Sequence, residues 1–98
     1  MDVYVNLRRM GNSVLLAVCD ADLLGRTLKE DKFAFHVSEK FYKGSLVSLE
    51  EAVELVWQCN VVNMVGRTIV KKALEKGLVH PDAVLEINGI PHAQIVKL

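Results

Sequence analysis

Val3, Val5 and Leu7 alternate with Tyr4, Asn6 and Arg8, and a Gly11-Asn12 pair separates them from an unbroken apolar run, Val14-Leu15-Leu16-Ala17-Val18. Apolar side chains at every second position turn one face of a strand to a core and the other toward water, and Gly-Asn between two such runs reverses the chain tightly. The segment therefore predicts a β-hairpin whose second strand, apolar throughout, is covered on both faces and lies inside a sheet. A chain of 98 residues has room for one core of this kind, so a single domain over residues 1–98 is expected.

Asp20-Ala21-Asp22 predicts a single helical turn through Leu24, ended by the positive φ that Gly25 can adopt. After a charged turn at Lys29–Lys32, Phe33, Phe35 and Val37 alternate with Ala34, His36 and Ser38, predicting a third strand in the same antiparallel sheet. Glu39–Gly44 reads as a connector with Phe41 and Tyr42 at the core edge. Ser48-Leu49-Glu50-Glu51 has the capping-box form, so a helix begins there and runs to about Cys59 on a stripe of Ala52, Val53, Leu55 and Val56. Asn63 reads as the cap of a second helix, joined to the first by a very short link. In it Val65, Ile69 and Ala73 recur four apart, and Gly77 ends it with Leu78 as the hydrophobic contact. Pro81-Asp82 marks a turn, Val84–Ile87 a strand, Asn88-Gly89 a hairpin signal and Ala93–Leu98 a closing strand. The predicted class is α+β: a two-layer sandwich, mainly antiparallel sheet with two adjoining helices on one face.

Composition bounds the function. Twelve basic and twelve acidic residues cancel, which excludes the bulk positive field that accompanies strong non-specific nucleic-acid or membrane binding. No apolar run approaches a membrane span, and the start Met-Asp-Val-Tyr lacks the features of a signal peptide, so a cytoplasmic protein with no membrane partner is expected. Cys19 and Cys59 lie in apolar surroundings without C-x-x-C spacing, as reduced core thiols do. The apolar share is 51%, and either a well-filled monomer or a homo-oligomeric interface accounts for the excess.

Two places gather polar chemistry. Ser48–Gln58 carries three acids and no base, whereas Met64–Gly77 carries four bases and one acid. In a structural reading these charges suit helix ends and an Lys71–Glu75 pair. In a functional reading Arg67, Lys71 and Lys72, with Arg8 and Arg9 at the sheet edge, contact nucleic-acid phosphates. No RNA-recognition aromatic run, GXXG loop or helix-turn-helix pattern accompanies them. Gly66, read in the first turn of the second helix, implies close backbone approach, to a neighbouring element or to an anion facing Asn63 and the first-turn amides. Pro91-His92-Ala93-Gln94 sets a titratable imidazole and a carboxamide two apart, on one face of an extended segment. Asn63, Gly66, Pro91, His92 and Gln94 are therefore the candidate polar site, either functional or tying down loops. No spacing assembles a catalytic set, and the three histidines and two cysteines show no paired metal-ligand spacing, so neither a catalytic residue nor a metal or other cofactor is assigned.

The stretches Val14–Asp20, Ser38–Tyr42, Asn63–Gly66 and Ile90–Ile95 together resemble the archaeal domain-of-unknown-function family 424, almost end to end, with Pro91-His92-Ala93-Gln94 the most specific piece. The resemblance implies a small two-layer α/β domain in an archaeal cytoplasm, with an RNA-binding or translation-linked role suggested for the family. Two readings follow. One is a binding module for RNA or a ribonucleoprotein; the other is a protein-interaction or homo-oligomeric assembly domain without catalysis. An enzyme would need a concave pocket joining His92 to another reactive group.

Overall fold

The structure is a computed structural model and describes residues 2–98. Strands β1 (Asp2–Met10) and β2 (Ser13–Asp20) form the expected hairpin, with Gly11 at φ 63° in the turn and β2 in the interior of a six-stranded sheet. After a 3-10 turn at Ala21–Leu23 come β3 (Thr27–Glu30), β4 (Phe33–His36), a one-turn helix α1 (Glu39–Tyr42) and β5 (Ser45–Ser48). Helix α2 (Leu49–Gln58), strand β6 (Val61–Val65) and helix α3 (Arg67–Glu75) follow, and a Pro81–Ala83 turn leads to β7 (Val84–Ile87) and β8 (Ile90–Val96). The main sheet has the order β5-β1-β2-β6-β8-β7 and is antiparallel except for β2 beside β6. The α+β class holds, with α2 and α3 on one face.

That face buries Val3, Val5, Leu16, Val18, Val62, Met64 and Ala93 beneath Ala52 and Val56 of α2 and Ile69, Val70 and Ala73 of α3. At about 25 cal/mol per Å² of apolar area removed from water, this layer is the principal stabilising term. The Ser48 hydroxyl accepts from the Glu51 amide at 3.1 Å, so the N-cap forms as read, while the Glu51 carboxylate reaches back to the Ser48 hydroxyl (3.3 Å). The end of α3 also follows the reading: Gly77 takes φ 70°, and Leu78 N–H donates to Ala73 C=O at 2.9 Å, a Schellman closure. At the other end of α2, Lys97 donates to the carbonyls of Val56 (2.9 Å) and Trp57 (3.0 Å), the cation satisfying the orphan acceptors of a helix C-terminus.

The two helices touch in space but not in sequence, which corrects the adjoining-helix reading. Val61–Val65 is a strand between them, paired parallel to β2 and antiparallel to β8. Five residues, three of them valine, suit an inner strand covered on both faces better than a helix start. Val65, counted above as helical, therefore belongs to β6, and Asn63 caps no helix. Within α3, Lys72 rather than Lys71 pairs with Glu75, at 3.2 Å.

The other face carries a smaller layer that periodicity did not place. Phe33–His36 does not extend the main sheet. It pairs with Thr27–Glu30 as a separate hairpin around Asp31, which stands at φ 53°. The charges at Lys29–Lys32 mark this hairpin's solvent side, while its Leu28 is buried. Leu28, Val37, Leu23 and Tyr42 pack on Ala17, Cys19, Val65 and Ile87 of the sheet. A 2.7 Å bond from Asn88 N–H to the Glu30 carboxylate pins the hairpin to the β7–β8 turn, where Asn88 and Gly89 both adopt positive φ. The connector Glu39–Gly44 folds as α1 with Ser38 as N-cap, and Ser45–Ser48 adds an edge strand to β1.

Candidate functional site

All five residues of the candidate polar site fall on the β6–β8 ladder. Asn63 stands opposite Gln94, Val65 opposite His92, and Gly66 N–H donates to Pro91 C=O at 2.9 Å. Three environments divide this ladder.

At its upper end Gly66 precedes α3 instead of lying in its first turn, with φ 126° and ψ 148°. A Cβ there would stand 2.2 Å from Asp20 Cγ. The close approach serves the carboxylate of Asp20, at the end of β2, which accepts from the amides of Thr68 (2.8 Å) and Ile69 (3.0 Å). Because residue 66 has no side chain, a neighbouring strand supplies the N-cap, and its charge complements the positive end of α3. The 3-10 turn that Asp20 introduces receives no side-chain cap from it. These two first-turn amides thus face an anion of the protein's own, which corrects the reading of an external anion beside Asn63. A cleft of about 400 Å³ next to Asp20 is edged by Asp22, Arg26 and Arg67, charges of both signs.

In the middle of the ladder the small layer roofs His92. Phe35 meets its ring edge-on at 5.2 Å between centroids, and Nε2 is buried without a hydrogen-bond partner among the described residues. Burial holds its pKa below the ordinary value. Cys19 lies on the same face, one strand beyond Val65, but burial, with Asp20 and Asp22 adding to it, pushes its thiol up to about 12. Burial likewise pushes the Tyr42 hydroxyl up. At neutral pH neither group is an anionic nucleophile. Among the described residues no three His, Cys, Asp or Glu side chains gather as metal ligands.

The His92 environment carries a pH dependence. A base whose pKa is lower folded than unfolded takes up protons on unfolding, so stability is fully present above the unfolded value of about 6.5 and falls as the pH drops through the folded value. Thermal unfolding of the parent should therefore show a midpoint that declines below about pH 6.5, whereas His92→Leu should decline less. Equal declines in the two proteins would exclude His92 as the source.

The lower end of the ladder is uncovered. Asn63 and Gln94, side by side, edge a groove of about 440 Å³ with an apolar floor of Leu15 and Val61 and an aromatic wall, Phe41. The Tyr42 hydroxyl donates to Asn63 Oδ1, which orients that carboxamide and leaves its N–H₂ as donor. Gln94 is exposed and offers both donor and acceptor. Behind Phe41 the Arg8 guanidinium donates to the carbonyls of Lys40 and Phe41 and sits 5.1 Å from the centre of the Phe41 ring. Cation–π contact and hydrogen bonding together hold both groups in place.

The five basic candidates do not form one ridge. Consecutive strand residues point to opposite faces, so Arg8 lies on the groove's side of the sheet, behind Phe41, and Arg9 on the helical side. Arg67, Lys71 and Lys72 lie on α3, across the sheet from the groove. Of the polar candidates, Gln94 and Asn63 belong to the groove, whereas His92 lies under the hairpin. The roles of Phe41 and Asp20 escape sequence reading. The signal for Asp20 is indirect: α3 begins Gly66-Arg67-Thr68 with no capping side chain, so a cap must come from elsewhere.

A sequence profile of the family described as "Protein of unknown function (DUF424)" matches residues 8–98. No curated protein matches the chain. Among solved structures, the crystal structure of an uncharacterized conserved protein from Methanopyrus kandleri is similar over 100% of this chain and 95% of its own, with 31% identity and a TM-score of 0.81.

Proposed function

The chain belongs to the DUF424 family, and from the chemistry of its open groove we propose that it is a cytoplasmic binding module for RNA or a ribonucleoprotein, taking single-stranded bases on the uncovered part of its sheet. The observation that carries this reading is the pair of carboxamides, Asn63 and Gln94, beside an aromatic ring backed by arginine. A base needs a face to stack on and donors and acceptors for its edge; Phe41 supplies the first and the two carboxamides the second. Arg8 has five N–H donors, more than its carbonyl contacts use, and those remaining suit a phosphate. The groove's volume lies within the range of small-ligand sites and admits a nucleotide. The α3 ridge is a poorer polyanion site, because Glu50 and Glu54 of α2 line the groove it shares with Lys72 and Lys76.

With so few cations at the groove, binding should be weak and moderately salt-dependent. Affinity for a mixed-sequence single-stranded RNA, measured across a salt series, should give a log–log slope of about −0.7, the value for one phosphate neutralised on a single strand, here by Arg8. Gln94→Ala should weaken binding about five- to tenfold with the slope unchanged, the loss of one base-edge contact. A flat slope, or no binding at low salt, would remove the proposal.

A further inference from the structure

On the opposite side of the molecule, α2 and α3 run in the same direction. Ser48 and Asp20, which precede or cap their first turns, lie at the same end of the sheet, where Asp2 pairs with Ser48 and Val3 with Asp20. Past the last turn of α2, Asn60 N–H bonds Val14 C=O at the far end of β2. The outward side of α2 exposes Glu50, Glu51, Glu54 and Trp57, and that of α3 exposes Arg67, Lys71 and, at its C-cap, Lys76, with Glu75 the one acid among them. These stripes of opposite sign are not spent on each other. Among the described residues no ion pair joins the two helices, and Lys72 pairs within its own helix. A groove of about 200 Å³ runs between them, with Glu50, Glu54 and Trp57 on one wall, Lys72 and Lys76 on the other, and Val53 between.

Trp57 is the only tryptophan, and 58% of it is exposed. Its ring is not loose: Lys97, bonded to the carbonyls of Val56 and Trp57, lies 6.0 Å from the ring centre. A large, pre-positioned aromatic on a charged helical face is the kind of residue that anchors protein interfaces.

We infer that this two-helix face binds a second copy of the chain, α2 of each protomer lying on α3 of the other about a two-fold axis parallel to the helices. Such an axis exchanges left and right but keeps height, so residues that share a level across the groove within one chain face each other between chains. Glu50 and Glu54 then meet the level of Lys72 and Lys76 twice over, and each Trp57 is covered by lysine stems. A two-fold axis across the helices would instead set the acidic α2 against itself, so the charge pattern selects one arrangement of the pair. The zero net charge leaves no overall repulsion to overcome. An RNA on this face would meet the three glutamates of α2, and an acidic or basic protein would be repelled by one stripe as much as it is drawn to the other.

Sedimentation equilibrium and Trp57 emission over a dilution series test the arrangement through charge reversal. At low salt the parent should dimerise with a dissociation constant on the order of 10–100 μM, and its emission should move to shorter wavelength on association. Raising the salt to about 0.5 M should weaken the dimer about tenfold. Lys71→Glu with Lys76→Glu makes both stripes acidic, and Glu50→Lys with Glu54→Lys makes both basic; each double variant alone should be monomeric. Mixed in equal amounts, they should re-form a one-to-one dimer, because each supplies the stripe the other lacks. Trp57→Ala, which leaves every charge in place, should weaken association at least about tenfold. A parent that stays monomeric at low salt with unchanged emission would overturn the inference, as would a dimer indifferent to both reversals or folded reversed variants that fail to associate when mixed. If a reversed pair does not fold, the Trp57→Ala result decides, and an unweakened dimer then counts against the face.

Discussion

Gly66→Ala should lower stability by about 3–5 kcal/mol, a large part of the 5–15 kcal/mol that a domain of this size has in all. Two costs combine. The backbone at residue 66 holds φ 126° with an extended ψ, a region essentially closed to residues with a Cβ. The added carbon would also stand 2.2 Å from Asp20 Cγ, inside any contact distance, and the obstructing atom is a carboxyl carbon held by two helix amides. Relief by moving Asp20 would uncap α3. A thermal midpoint lowered by at least about 15 °C is the expected readout, and a change of less than about 5 °C would show that the junction relaxes freely.

Asp20→Ala should cost about 2–3 kcal/mol, because it removes a charged acceptor shared by the Thr68 and Ile69 amides, the latter bond buried. Asp20→Asn keeps one acceptor oxygen and loses the charge, so about half that cost is expected. The pair of sites also predicts a coupling. With alanine at residue 20 the obstruction to a Cβ at residue 66 is gone, while the strain in φ remains. The double variant Gly66→Ala/Asp20→Ala should therefore be less destabilised than the sum of the singles, by about 1–2 kcal/mol. Strict additivity in chemical denaturation would mean that Asp20 and residue 66 do not act on each other.

How much of this was legible in the sequence depends on whether the signal was local. The β1–β2 hairpin, the Asn88-Gly89 turn, the Ser48 N-cap and the Gly77 C-cap are set by residues a few positions apart and stand as read, although the last strand begins at Ile90 rather than Ala93 and ends at Val96. The errors arise where distant partners decide. Val61–Val65 becomes a strand because β2 and β8 flank it, and a four-apart pattern running through Val65 could not reveal that. Phe33–His36 alternates as a strand should, but alternation carries no information on which sheet receives it. The site shows the same division. Asn63, Gly66, Pro91, His92 and Gln94 do gather on one ladder. Their separation into a capped helix start, a roofed imidazole and an open groove depends on Asp20, Phe35 and Phe41, which arrive from other parts of the chain. The basic residues were grouped by charge alone, and strand alternation then parts Arg8 from Arg9.

Residue-resolved NMR of the protein titrated with a single-stranded RNA of about eight nucleotides, long enough to cross one sheet face, addresses the groove directly. The side-chain amide signals of Asn63 and Gln94, with the backbone signals of Leu15 and Phe41, should shift together and saturate together, while those of α2 and α3 stay in place. Shifts confined to Arg67, Lys71 and Lys72, or none at low salt, would contradict base recognition on the open part of the sheet.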